Sequence, residues 1–94
     1  MAAYKLSRLA RAKLADIYEY SFLNFGERQA DAYLDGLYET FDKLAAMPLM
    51  GRTWQQWRRH EHAEHVIFYA IDDDEIEIVQ IFHHSENIVA WMKS

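Results

Sequence analysis

The chain has 94 residues, no cysteine and a formal net charge of −5 at neutral pH. Its hydrophobic content of 51% and aromatic content of 15% are typical of a folded domain and exclude intrinsic disorder. A chain of this length supports one hydrophobic core, so we expect a single domain over residues 1–94. The lack of cysteine excludes disulfides, thiolate metal ligands and cysteine nucleophiles, and it is compatible with a reducing cytoplasm.

Charge is distributed unevenly along the chain. A basic patch of Arg52, Arg58 and Arg59 is followed by an acidic run over residues 72–77. Because phosphate contacts are made by lysine and arginine, the acidic total disfavours a protein that binds nucleic acid directly. Met1–Leu9 lacks the continuous apolar run of a signal peptide or a membrane span, so we expect a cytoplasmic protein with no membrane association.

A short strand and a helix are predicted at the start of the chain. Ser7 follows an extended pattern and has the hydroxyl expected of a helix N-cap. Gly26 is expected to end the helix in a left-handed conformation. Three- and four-residue spacing over Arg8–Phe25 predicts one buried helical face, formed by Ala10, Leu14, Ile17, Tyr18, Ser21, Phe22 and Phe25.

A second helix is predicted between Ala30 and Ala45, where the helical period of apolar residues continues almost without interruption. Proline cannot continue the hydrogen-bond ladder and disfavours helical geometry in the residue before it. Pro48 should therefore end this helix near Met47. Because Gly26 alone separates the two predicted helices, they should form an antiparallel hairpin.

Strands are predicted in the second half of the chain, after a loop over residues 47–57. His65–Ile71 and Glu75–His83 are rich in β-branched and aromatic residues, and three aspartates between them are typical of a turn. Residues 57–62 are a candidate for an earlier strand. The residues after Ser85 either form a short helix or remain extended. The predicted fold class is α+β: an N-terminal strand, an antiparallel helical hairpin and an antiparallel β-meander.

This order of elements resembles the RelE/ParE superfamily of type II toxins, and its ParE branch in particular. Most of the matching positions also have a purely structural explanation, so they predict the fold rather than the activity. The matches are Tyr4-Lys5-Leu6-Ser7, then Ala12, Leu14, Asp16, Ile17 and Tyr20, then Pro48-Leu49-Met50-Gly51-Arg52, and finally His65-Val66-Ile67-Phe68-Tyr69 and Glu77-Ile78-Val79-Gln80-Ile81-Phe82-His83.

The resemblance implies a toxin that binds and inhibits DNA gyrase, has no catalytic residues and needs no cofactor. It also implies a ParD-like antitoxin that neutralises the toxin in a hetero-oligomer. Two alternatives remain open. One is a RelE-like, ribosome-dependent mRNA endonuclease, and the other is a homologue that binds an antitoxin but has lost toxicity.

Ribonuclease chemistry needs an acid–base pair and a cation beside the scissile phosphate. Many relatives that resemble RelE have an arginine a little after the last strand, where this chain has residues 85–87, Ser-Glu-Asn. The absence of that arginine and the acidic net charge favour the ParE interpretation. The residues available for such chemistry are Arg58, Arg59, His83 and His84.

Histidines at 60 and 62 would point to the same side of a strand, with His65 close by in sequence. A zinc site is conceivable there, but the chain has neither cysteine nor a recognisable ligand spacing. Exposed or hydrogen-bonded histidines are therefore the favoured interpretation, and no metal is predicted. His83 and His84 should point to opposite faces if their strand continues.

Tryptophans outside the periodic segments are often partner anchors, although they can equally cover the ends of a core. We expect separate surfaces for the target and the antitoxin. The predicted target-binding residues are Arg52, Trp54, Trp57, Arg58, Arg59, His83 and Trp91. The predicted antitoxin-binding residues are Leu14, Ile17, Tyr18, Tyr33, Leu37, Tyr38 and Phe41.

Overall fold

The computed structural model describes residues 3–86 and residue 88. The described strands form one sheet in the order β1-β5-β4-β3-β2, in which β1 is parallel to β5 and the other pairs are antiparallel. The predicted α+β fold is confirmed. Its elements are β1 (Ala3–Leu6), α1 (Arg8–Phe25), α2 (Glu27–Ala46), β2 (Arg52–Trp54), β3 (Trp57–His62), β4 (His65–Asp72) and β5 (Glu75–His83).

Ser7 caps α1, as predicted, and also ties the start of the helix to the sheet. Its Oγ accepts a hydrogen bond from the Ala10 N–H at 3.0 Å and donates to the Val79 carbonyl at 2.6 Å. Val79 lies in a β-bulge, because Tyr69 pairs with Ile78 while the preceding residue pairs with Gln80. The cap therefore binds a carbonyl at the position where the β4–β5 ladder is interrupted.

Gly26 joins the two helices by itself. Gly26 ends α1, as predicted, but the predicted left-handed helical conformation is wrong in ψ: its φ is 91° and its ψ is 169°, an extended region that only glycine adopts readily. Its N–H donates to the Phe22 carbonyl, and its own carbonyl accepts from the Ala30 N–H, both at 3.0 Å. One residue can therefore end α1 and begin α2, which gives the predicted hairpin.

The predicted buried face of α1 is correct in its first half and wrong at its end. Ala10, Leu14 and Ile17 are buried, whereas Phe22 is 45% exposed and Phe25 is 57% exposed. The physical reason at Phe25 is that its side chain lines a cleft and does not pack on sheet residues. Phe22 contacts Tyr18 of the same helix, with their ring centroids 6.2 Å apart. Helical periodicity identifies the side chains that share a face, but it does not show where the covering element ends.

The predicted loop over residues 47–57 contains a strand that the sequence analysis missed. β2 has three residues and is paired with β3, with Thr53 opposite Arg58. The candidate strand at residues 57–62 is confirmed as β3.

Asp73 has a φ of 55° in the turn between β4 and β5, consistent with the predicted aspartate turn. Beyond Ser85, the structure describes residues 86 and 88 alone, so the predicted helix or extended segment there lies largely outside the described residues.

Alternating side chains bury both faces of the sheet. On the helix-covered face, the side chains of Ile67, Tyr69 and Ile78 pack with α1 and α2 in the main core. On the opposite face, which we call the far face, a smaller cluster contains Val66, Phe68 and Phe82, with Trp54 and Ile88 packed against it. Within the described part of the chain, neither helix is long and apolar enough to cross a membrane.

Candidate functional site

Four predicted target-binding residues lie together on the far face, at the edge formed by β2 and β3. Arg52 is directly opposite Arg59, and Trp54 is directly opposite Trp57. The tryptophan rings are stacked, with their centroids 6.5 Å apart and an interplanar angle of 20°. Cross-strand neighbours of this kind present their side chains on one side of the sheet. We call these residues the Trp–Arg surface.

Members of the Trp–Arg surface differ in how firmly the fold holds them. The Trp54 ring centroid lies 4.7 Å from that of Phe68, so this half-buried tryptophan is partly core. The Arg59 guanidinium lies 5.7 Å from the Phe68 ring centroid, and its Nε is buried without a hydrogen-bond acceptor. Arg52 is different, because its side chain is 68% exposed and only loosely paired with Glu61 at 3.5 Å. Arg52 is therefore the member most available to a partner.

Arg58 does not belong to this surface, because it lies on the helix-covered side. Its Nη1 donates to the Gly51 carbonyl at 2.6 Å. Tyr69 secures the same loop, since its hydroxyl donates to the Pro48 carbonyl at 2.7 Å and accepts from the Gly51 N–H at 2.9 Å. Burial raises the pKa of Tyr69, which keeps the hydroxyl protonated. A Cβ on Gly51 would lie 2.4 Å from the Tyr69 hydroxyl oxygen, so glycine is required at this close approach.

The remaining two predicted target-binding residues are separate from the Trp–Arg surface. His83 lines a cleft on the helix side of the sheet, and Trp91 lies outside the described residues. His84 follows β5, and its Nε2 lies 3.0 Å from the Ala63 carbonyl while its Nδ1 lies 4.0 Å from a carboxylate oxygen of Glu61. Both histidines contact the β3–β4 turn, His83 at Glu64 and His84 at Ala63, but His83 also lines the cleft.

The cleft that His83 lines has a volume of about 510 Å³. It lies between residues 13–25 of α1, the start of α2, the β3–β4 turn and the end of β5. Ile17, Tyr20 and Phe25 supply its apolar wall. Acidic and basic side chains line the other side. The sequence analysis assigned His83 to the target-binding set and Ile17 and Tyr33 to the antitoxin-binding set, but it did not predict that they share a cleft. Its lining residues come from four separate parts of the chain, so no local motif could have revealed it.

A buried histidine and a tyrosine form one side of this cleft. The Tyr33 hydroxyl lies 2.6 Å from His65 Nδ1. Burial lowers the pKa of His65 to about 4, and the nearby His83 and Lys13 act in the same direction. The imidazole is therefore neutral at neutral pH. Burial raises the pKa of Tyr33, although a backbone hydrogen bond from Glu64 opposes the shift. We assign the tyrosine as donor to Nδ1, which places the imidazole proton on Nε2.

Glu86 closes one end of the cleft. Both of its carboxylate oxygens lie 2.8 Å from Lys13 Nζ, and one accepts the His83 N–H at 2.8 Å. Burial acts to raise the pKa of Glu86, but the hydrogen bonds from Lys13 and from the His83 backbone prevail and lower it. His83 Nδ1 lies 2.8 Å from Ser85 Oγ. These contacts attach the chain after β5 to α1.

The other strand histidine that packs on α2 is His62. Its Nδ1 lies 3.0 Å from Thr40 Oγ1, which itself donates to the Gly36 carbonyl at 2.9 Å, so the histidine is the donor. Burial lowers the pKa of His62, and the nearby His60 and Lys43 add to the effect. His62 and His65 are thus hydrogen-bonded to helix α2. Among the residues that the structure describes, no group of three His, Cys, Asp or Glu side chains is arranged to hold a metal ion.

The predicted antitoxin-binding residues divide into core and surface. Leu37 and Phe41 are fully buried in the main core, where a partner could reach them only if the packing opened. Leu14 and Ile17 are also buried in this core, but Ile17 lines the cleft described above. The tyrosines at 18, 33 and 38 are half-buried and retain exposed surface. Larger apolar exposure occurs at positions that were not predicted, with Tyr20 at 63% and Leu23 at 74%. Their place on α1 was visible in the sequence, but their exposure was not.

Comparison with solved structures identifies the class of fold. A structure described as the chromosomal ParDE TA system from P. aeruginosa superimposes with a TM-score of 0.75 at 21% identity, over 88% of this chain and 96% of that one. The isolated RelE toxin of E. coli superimposes with a TM-score of 0.53 at 8% identity, over 99% of this chain and 95% of that one. The fold is therefore that of the RelE/ParE toxins.

Sequence comparison narrows the class to a family. The family profile of the ParE toxin of the type II toxin–antitoxin system parDE matches residues 4–88. Toxin ParE1 of Caulobacter vibrioides is 36% identical over 96 residues, which cover 98% of this chain and 99% of that protein. Toxin ParE1 of Mycobacterium tuberculosis is 29% identical over 90 residues, covering 90% and 92%. The chain belongs to the ParE toxin family, which confirms the resemblance found in the sequence.

Proposed function

We propose that this ParE-family toxin acts by binding and inhibiting DNA gyrase, and that a ParD-like antitoxin neutralises it in a hetero-oligomer. The observation that carries the proposed mode of action is the Trp–Arg surface. Two stacked tryptophans and two arginines lie on one side of β2 and β3 in the free chain, so the surface is preformed. Tryptophan and arginine dominate the binding energy of protein interfaces, so such a surface supports action by binding.

If the chain were a ribonuclease, the cleft would be its active site, because it contains residue types that perform acid–base chemistry. His65, His83 and Lys13 all line it. However, His65 Nδ1 is engaged by Tyr33, and the Lys13 ammonium is bound by a carboxylate at 2.8 Å. A nuclease needs a cation free to stabilise the phosphorane charge. The Trp–Arg surface lies on the other face of the sheet and could not contribute to the same site. We therefore favour gyrase binding over RNA cleavage.

The exposed apolar side chains of α1 support the proposed antitoxin partner. Tyr20, Leu23 and Phe25 are each more than half exposed along the last turns of the helix. Contiguous apolar exposure of this kind commonly marks a protein interface. An amphipathic antitoxin segment laid against α1 would cover it. The Trp–Arg surface would remain on the far face, so we propose separate surfaces for the target and the antitoxin.

Supercoiling and primer-extension assays on the purified chain test this proposal. We expect inhibition of gyrase-dependent supercoiling or accumulation of cleaved DNA, with no cuts in translated mRNA. Arg52→Ala and Trp57→Ala should weaken the inhibition, whereas Arg28→Ala, on the exposed surface of α2, should leave it unchanged. Codon-specific mRNA cuts with supercoiling intact would establish the ribonuclease alternative. A folded chain with neither effect would indicate a non-toxic homologue that binds an antitoxin.

A further inference from the structure

Carboxylates outnumber lysines and arginines in the 510 Å³ cleft between α1 and the end of β5. Asp16, Glu64 and Glu86 line it together with Lys13. Glu86 binds Lys13 through both oxygens at 2.8 Å, which neutralises that ammonium. The Glu64 side chain is 72% exposed and has His83 Nε2 at 3.8 Å, and Asp16 has no ion-pair partner among the described residues. Unpaired negative charge therefore remains at the cleft.

The apolar wall of the cleft is aromatic and accessible. Tyr20 and Phe25 lie with their ring centroids 6.4 Å apart in an edge-to-face arrangement, and both side chains are mostly exposed. Ile17 and Tyr33 continue the wall towards the sheet. A surface of this kind packs against the aliphatic stem of a long side chain, and its rings attract a cation. Arginine and lysine combine such a stem with a positive charge.

His65 offers the cleft a hydrogen-bond donor. The residue has a relative exposure of 9% and lines the cleft. Tyr33 engages its Nδ1, and the tautomer assigned above places the proton on Nε2, which has no hydrogen-bond partner among the described residues. Nε2 is not one of the buried atoms that lack a partner, so water reaches it in the free chain. A backbone carbonyl of an inserted segment would replace that water as the acceptor.

We infer that this cleft receives an arginine or lysine side chain from an apolar segment of the antitoxin. The inference rests on the proposed pairing of the chain with an antitoxin. The cation would lie between Asp16 and Glu64, its stem would pack on Tyr20 and Phe25, and a carbonyl of the same segment would accept from His65. A free polyamine supplies neither that carbonyl nor apolar cover for the aromatic wall. Nucleic acid would be repelled by the unpaired carboxylates.

A fragment experiment tests the cleft without any antitoxin. Nα-acetyl-arginine methylamide is titrated into the full chain while the backbone amide NMR signals are recorded, and the neutral isostere Nα-acetyl-citrulline methylamide serves as the reference ligand. We expect the arginine amide to shift the signals of His65 and Tyr33 and to bind about tenfold more tightly than citrulline. Equal binding of the two ligands, or shifts that map elsewhere, would overturn the inference.

Variants assign this binding to the two carboxylates. Asp16→Asn combined with Glu64→Gln should remove the preference for arginine, whereas Glu19→Gln, an exposed position on α1 that does not line the cleft, should preserve it. Both changed residues are exposed, and thermal unfolding verifies that the variants fold. A double variant that keeps the full preference for arginine would contradict the assignment of the cation to these carboxylates.

The antitoxin complex separates this inference from the proposed function. With the cognate antitoxin, the double variant should raise the dissociation constant about tenfold relative to Glu19→Gln, and the difference should shrink at high salt. Tight antitoxin binding that the double variant leaves unchanged would refute the cleft inference while the proposed pairing stands. If the wild-type chain binds no antitoxin, the proposed pairing fails, and with it the inference about an antitoxin side chain.

Discussion

The two faces of the sheet are buried in different ways. On the helix-covered face, two helices exclude water from aliphatic and aromatic side chains such as Ile67 and Ile78. On the far face, Phe68 and Phe82 are also buried, but polar or half-exposed side chains cover them. Trp54 packs on Phe68, and the Arg59 guanidinium lies 5.7 Å from the same ring centroid.

This difference determines whether one side chain can serve both stability and binding. A core residue under a helix has no surface left for a partner. A tryptophan or arginine that covers the far-face cluster has one side against the core and the other side against solvent. Substitutions of fully buried side chains on the helix-covered face should therefore affect stability alone. Substitutions on the Trp–Arg surface should affect target binding, and also stability in proportion to how deeply each side chain packs.

The largest expected loss of stability is for Leu37→Ala on the helix-covered face. Leu37 is fully buried in the main core, so truncation should lower the free energy of unfolding by about 2–5 kcal/mol. Urea denaturation measures this loss. Leu23→Ala on α1, where the leucine is exposed, should cost less than about 0.5 kcal/mol. Similar losses in both variants would contradict the described packing of the hairpin.

The next effect concerns the loop that leads into β2. Tyr69→Phe leaves the Gly51 N–H and the Pro48 carbonyl without their partner, which should cost about 1–3 kcal/mol. Hydrogen exchange should accelerate at Gly51, since its amide loses an acceptor. Tyr38→Phe is the matched control, because the Tyr38 hydroxyl makes no hydrogen bond to the described residues. Unchanged protection of Gly51 in Tyr69→Phe would argue against this anchor.

The pH dependence of stability reports on His65. Its pKa is about 4 in the folded chain and 6.5 in the reference state, so the unfolded chain binds more protons between these values. The free energy of unfolding should therefore fall by up to about 2 kcal/mol as the pH drops from 7 to 5. His65→Gln should remove this part of the pH dependence, while His84→Gln should retain it. Parallel curves for the wild type and His65→Gln would show that the histidine is not held neutral.

The smallest change in stability is expected for Arg52→Ala on the Trp–Arg surface. The exposed side chain contributes less than about 0.5 kcal/mol to folding, yet its loss should weaken gyrase inhibition about tenfold or more. Trp54→Ala should lower both inhibition and stability, because the ring packs on Phe68. Denaturation and supercoiling assays on the same samples measure both quantities. If gyrase inhibition in these variants falls only in proportion to their loss of folding stability, the surface has no binding role.

The sequence by itself determined the periodic elements of this protein. Both helices, the Ser7 cap, the glycine between the helices and the strands at 65–72 and 75–83 follow from residue patterns over a few turns or a few residues. These features depend on interactions within an element, or between it and its immediate neighbours, so local sequence contains the relevant information. The motifs of the ParE resemblance fall largely within the same elements.

The tertiary structure alone decided which surfaces those elements cover. β2 is too short to show a strand pattern and exists through its pairing with β3. Arg58 and Arg59 are adjacent in sequence, but the pairing of β3 places them on opposite sides of the sheet. Phe25 continues the apolar pattern of α1 and remains exposed because a cleft lies beneath it. In each case the outcome depends on a segment distant in sequence, and periodicity within one element contains no information about what packs against it.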